Sequence, residues 1–287
     1  MRLLPKTKIK SVLVLLLLQI GLVQTQFATA QEPAPQAKPK TDQRALMQIR
    51  VDPRVQMRSY FFEGTGENLE YALFVSSKVS EDKKNPLIVT LHGLGAGPAI
   101  MLTKEAVDLA EEGGYILVGP MGYNVRGWYG IPMGPPPDFA KFPPQKAIPD
   151  GKVQPEAKTA AKSKASLFFN PNDPPNLREL SEKDVMNVLG IVRKEFSVDE
   201  RRIYLMGHSM GGAGTLYLGV KYASIWAALA SVAPAAFGLN PDSLAEIKSM
   251  PVIFVHGDAD EAVPVANTRR WVEKLKELNM TYEYNEM

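Results

Sequence analysis

The most constraining feature of this chain is a rhythm. Short, nearly unbroken apolar runs at 86–91 (PLIVTL), 115–119 (YILVG), 202–206 (RIYLM), 226–232 (WAALASV) and 251–255 (PVIFV) alternate with stretches of helical character. A strand that is apolar on successive residues must be covered on both faces, which demands a parallel sheet between helical layers. Residues 98–112, closed by Gly113-Gly114, predict one helix and residues 210–222 another. Residues 264–279 predict a charged amphipathic helix. Residues 181–196 predict a further helix: Val185, Val188, Leu189, Val192 and Phe196 share one face, and Ser181 with Asp184 resembles a capping pair. Residues 58–63 and 69–76, with Gly64 and Gly66 between them, predict an opening strand pair, and 281–286 one more strand. The fold class is α/β: a mostly parallel central sheet with helices on both faces.

Two segments stand outside this rhythm. Residues 1–30 carry Arg2, Lys6, Lys8 and Lys10, then an apolar core at 11–23, then Ala28-Thr29-Ala30. That is the build of a cleaved signal peptide, and its apolar core is shorter than the roughly 17–25 residues of a spanning helix. Residues 31–57 follow as a proline-rich tether and lead-in, so the expected location is secreted or periplasmic, with no stable membrane span after cleavage. Loss of the four basic leader residues takes the net charge from +2 to −2. With no basic excess, a nucleic-acid partner driven by phosphate contacts is not expected. The second segment, 123–176, is an insertion within the domain at 58–287. It holds 11 of the chain's 23 prolines, several of them adjacent, which denies it a regular helix or central strand. Its aromatic side chains are candidates to shape a pocket.

The chemistry concentrates where apolar runs end. Gly207-His208-Ser209-Met210-Gly211 fits G-x-S-x-G, with a strand before it and a helix after it, as a nucleophile elbow requires. The small flanks Gly207 and Gly211 allow a turn that exposes Ser209. The helix behind it offers the Met210 N–H to a developing anion. His92-Gly93-Leu94-Gly95 follows an earlier strand, and the Leu94 N–H is the candidate second oxyanion donor. His256-Gly257-Asp258-Ala259-Asp260 follows a third; by position Asp260 is favoured over Asp258 as the carboxylate that orients an imidazole. Cysteine is absent, which removes thiol catalysis and Cys-ligated metals, and no ligand cluster or nucleotide motif implies a metal or organic cofactor.

The segments LHGLGAG (91–97), RRIYLMGHSMGGAGT (201–215) and VIFVHGDADEAVP (252–264) resemble the α/β-hydrolase fold. Within it they resemble secreted esterases and prolyl-oligopeptidase-type hydrolases of the feruloyl-esterase and polyhydroxybutyrate-depolymerase kind. The resemblance spans residues 58–287. It implies Ser209 as nucleophile, Asp260 as acid, and an ester substrate, small or polymer-linked. In that fold the catalytic histidine follows the acid. None of the 27 residues after Asp260 is histidine. The chain's three histidines are assigned supporting positions: His92 at the oxyanion loop, His208 at the elbow, His256 before the acid. The expectation is therefore a hydrolase cut short within its last strand, with its C-terminal end incomplete. The alternatives are a peptidase with the same triad and a non-catalytic binding protein of the same fold.

Overall fold

A computed structural model describes residues 51–132 and 170–287. The leader, most of the tether and the centre of the insertion lie outside the described residues. Eight strands form one sheet in the order β1-β2-β4-β3-β5-β6-β7-β8. They are β1 (Gln56–Phe62), β2 (Glu67–Val75), β3 (Asn85–Leu91), β4 (Ile116–Pro120), β5 (Val198–His208), β6 (Ala228–Val232), β7 (Val252–His256) and β8 (Tyr282–Glu286). β2 runs antiparallel to both β1 and β4, and every pairing from β4 onward is parallel.

The unbroken apolar runs are the covered strands. β3, β4, β6 and β7 are buried at every position. Alternate side chains feed two cores. Leu87, Val89, Leu205 and Phe254 face one layer, with Val185 and Leu189, Leu216, and Trp271. These come from α2 (Leu177–Glu195), α3 (Met210–Lys221) and α4 (Ala266–Glu277) respectively. Ile88, Leu117, Tyr204 and Val255 face the other layer, with Val107 and Ala110 of α1 (Lys104–Gly113). Burial of such side chains is worth roughly 1.5–3 kcal/mol each, so the two-sided core dominates the fold's stability.

Three boundaries differ from the sequence expectation. α1 begins at Lys104, not near Pro98. Thr103 is its N-cap, its side chain accepting from the Ala106 N–H at 3.4 Å. The preceding residues form turns instead, burying Met101 and Leu102, and Asp52 N–H reaches the Leu102 carbonyl. α2 begins at Leu177, so Ser181 and Asp184 lie inside it and cap nothing; both are fully buried. β5 extends back to Val198 through charged residues, because Asn85 pairs with Val198 and Arg202 neutralises Asp199 at 2.7 Å.

Candidate active site

Ser209 sits between β5 and α3 at φ 57°, ψ −115°, a strained region for any residue with a side chain. Close packing enforces the turn. A Cβ at Gly207 would lie 2.2 Å from the Gly211 carbonyl oxygen; one at Gly211 would lie 2.1 Å from that of Leu91. Neither position admits a side chain, so the first turn of α3 is pressed against the end of β3. The Ser209 N–H donates to Val232 O at 2.9 Å, and its carbonyl accepts from Ala213 and Ala235 N–H, both at 3.0 Å. The elbow is thus tied to β6 as well as to its own helix.

The oxyanion loop lies directly alongside. A Cβ at Gly93 would stand 3.4 Å from Ser209 Cβ and 3.4 Å from His208 Nδ1. Gly95, at φ +80°, donates to Val125 O at 2.9 Å, and Ala96 donates to Gly93 O at 3.1 Å. The Leu94 and Met210 N–H groups have no acceptor among the described residues. Two unoccupied donors beside Ser209 can stabilise an oxyanion.

Asp260 follows β7. Its Oδ1 accepts from the Ala262 and Val263 N–H groups at 2.8 and 2.9 Å. Its Oδ2 stands 3.6 Å from His256 Nε2 and has no hydrogen-bond donor among the described residues. The carboxylate is therefore fixed through one oxygen and open at the other, while Asp258 is exposed. The adjacent-but-one strands β5 and β7 bring Ser209 and Asp260 to the same end of the sheet.

The three histidines lie at the ends of β3, β5 and β7. His92 is wholly buried, with Nδ1 2.8 Å from Gly93 O and Nε2 2.8 Å from Met121 O. His256 is pinned by Thr268 Oγ1 and Val263 O, both at 2.7 Å, and so buttresses the acid loop. His208 lies within the electrostatic reach of Asp260; burial pushes its pKa down and Asp260 pulls it back up. Burial likewise lowers the pKa of His92, against the pull of the two carbonyls.

A second tier of residues escaped the sequence analysis. Asp184 accepts from Tyr60 Oη at 2.6 Å and from the Gly122 and Tyr123 N–H groups at 2.6 and 3.2 Å. Ser181 Oγ accepts from Tyr129 N–H at 3.0 Å, and Tyr129 Oη donates to His92 O at 3.0 Å. These polar residues of α2 hold the strained segment after β4, where Tyr123, Trp128 and Tyr129 all have positive φ. The signal was present in the sequence: Ser181 and Asp184 fall on the same helical face as Val185 and Val188, where polar residues need buried partners. Among the described residues no group of three or more His, Cys, Asp or Glu is placed to hold a metal ion. No described helix is long and apolar enough to cross a membrane.

Comparison with known proteins finds similarity in fold. Residues 175–287 match the family described as Phospholipase/Carboxylesterase. Among solved structures, a thermostable esterase is similar at 24% identity and TM-score 0.56, over 82% of this chain and 55% of that one. The chain thus spans little more than half the length of that relative. A CE1 ferulic acid esterase from Anaeromyces mucronatus, solved with ferulic acid, is similar at 18% identity and TM-score 0.54, over 81% and 82% of the two chains. FphF, a fluorophosphonate-binding serine hydrolase of Staphylococcus aureus, is similar at 14% identity and TM-score 0.54, over 81% and 89%. No curated protein matches by sequence. The chain thus has the α/β-hydrolase fold, and its residues 175–287 match the phospholipase/carboxylesterase family model.

Proposed function

We propose that this protein is an exported serine hydrolase of carboxylic esters, with Ser209 as its nucleophile. The observation that carries the reading is the strained backbone of Ser209 at the β5–α3 junction, with two free N–H donors beside it. Ser209 Oγ attacks the ester carbonyl, and the Leu94 and Met210 N–H groups receive the tetrahedral oxyanion. Collapse expels the alcohol and leaves an acyl-enzyme, which water releases. Asp260 Oδ2 is the seat for an imidazole that takes the serine proton. His92 and His256 have both ring nitrogens engaged elsewhere. The leader pattern at 1–30 supports export to the periplasm or beyond.

The test is covalent labelling by a fluorophosphonate probe, with imidazole added as the base that Asp260 would seat. Ser209 is expected to be modified and Ser209→Ala to stay unlabelled; labelling that survives S209A would sink the assignment. A serine hydrolase without its histidine keeps about 10³–10⁴-fold acceleration over water. Residues 1–287 are therefore expected to turn over 4-nitrophenyl acetate no faster than that, and added imidazole should raise the rate. Turnover at ordinary enzyme rates without it would show that a residue within 1–287 already serves as base. Comparing an ester with the matching amide separates esterase from peptidase activity.

A further inference from the structure

A guanidinium and an indole N–H meet at the N-terminal end of α2. Asn176, its N-cap residue, makes no side-chain capping bond. Arg178 stands in the first turn, where a cation opposes the helix dipole. Its Nη1 donates to Arg126 O at 2.8 Å, and its guanidinium carbon lies 6.0 Å from the centre of the Trp128 ring. No carboxylate stands within ion-pair distance of it among the described residues. Asp173, whose charge acts on it, is already engaged by Arg126 Nε at 2.7 Å and Asn124 Nδ2 at 3.1 Å. Beneath the guanidinium, Trp128 is 4% exposed and its Nε1–H has no acceptor among the described residues. Buried donors are ordinarily satisfied, so an unpaired indole N–H beside an uncompensated guanidinium asks for an acceptor.

This cluster adjoins the oxyanion loop. Arg178 bonds to the carbonyl of Arg126, and the preceding carbonyl, Val125 O, accepts from Gly95 N–H. We propose that Arg178 and Trp128 form an anion subsite that takes a carboxylate carried by the substrate, so that acidic esters are favoured over neutral ones. The substrate part of the proposal rests on the hydrolase reading above; the anion subsite does not. A planar guanidinium matches a carboxylate through two parallel hydrogen bonds, and the Trp128 ring below it holds that plane in place.

The experiment titrates benzoate, and its neutral isostere benzamide, into the full 1–287 chain at low ionic strength. Benzoate is expected to bind at least about tenfold more tightly than benzamide, the scale of one charge-assisted bond. Arg178→Gln should abolish the difference, Arg178→Lys should keep part of it, and Ser209→Ala should leave it intact. Should R178Q fail to fold, Trp128→Phe keeps the ring, removes the N–H, and should weaken benzoate several-fold. Equal binding of the two probes, or benzoate binding unchanged in the Arg178 and Trp128 variants, overturns the subsite. Benzoate should also slow fluorophosphonate labelling of Ser209. Binding without slowing overturns the link to the ester pocket. With imidazole present throughout as the base, an unlabelled Ser209 sinks the hydrolase reading alone.

Discussion

At the scale of single residues, the elbow is held by exclusion. Gly207 and Gly211 leave no room for a methyl group, so each is dictated by a neighbour's carbonyl oxygen. Gly211→Ala is expected to cost about 3 kcal/mol, the upper range for overpacking, whereas Gly238, which faces open space, should tolerate alanine within about 0.5 kcal/mol. Urea denaturation of the two variants checks the contrast. That Ser209, Leu94, Met210 and Asp260 lie beyond the ends of covered strands was legible in the sequence, because the apolar runs stop just before them. Trp128 and Arg178 were not. Their meaning depends on what fails to contact them, and absence of a partner leaves no trace in a linear pattern.

At the scale of elements, α2 does more than cover the sheet. Its inward polar residues clasp the segment after β4, and that segment in turn braces His92 through Met121 O and Tyr129 Oη. Asp184→Ala strands three donors and is expected to cost about 3 kcal/mol or more, at the typical penalty for each unsatisfied buried group. Asp184→Asn, which keeps one acceptor oxygen, should cost less. Thermal or chemical denaturation of both decides this, and equal losses would show that the carboxylate's hydrogen bonds are not what matters. The helices and strands themselves were readable from apolar period alone. Among the helices the errors fell at the start of α1 and the start of α2. At each, tertiary contacts set the boundary: turns that bury Met101 and Leu102 for α1, and docking onto the 122–131 segment for α2. Local capping chemistry does not encode such contacts.

At the scale of the whole molecule, a sheet apolar on both faces leaves few titratable groups inside, and those few govern its response to acid. His92 and His208 both have folded pKa values below the ordinary 6.5. The unfolded chain therefore takes up protons first as pH falls. Their contribution to stability is whole above about pH 6.5 and declines as pH drops through that value. Asp184, raised above 3.8 by burial, acts in the opposite sense in a more acidic range. The melting temperature should fall between pH 7.5 and 5.5, and less steeply in His208→Asn; a flat profile in the parent protein would contradict this. The overall architecture was legible as a count of covered strands, but the strand order was not, since crossing connections carry no local signature. The chain holds three tryptophans, and all three are buried: Trp128 at 4%, Trp226 at 5% and Trp271 at 2% exposure. Trp226 already donates to Leu218 O. The emission of this protein should thus be blue-shifted throughout, with one indole left sensitive to any acceptor arriving near Arg178. The molecule would then carry its own optical gauge of that subsite's occupancy.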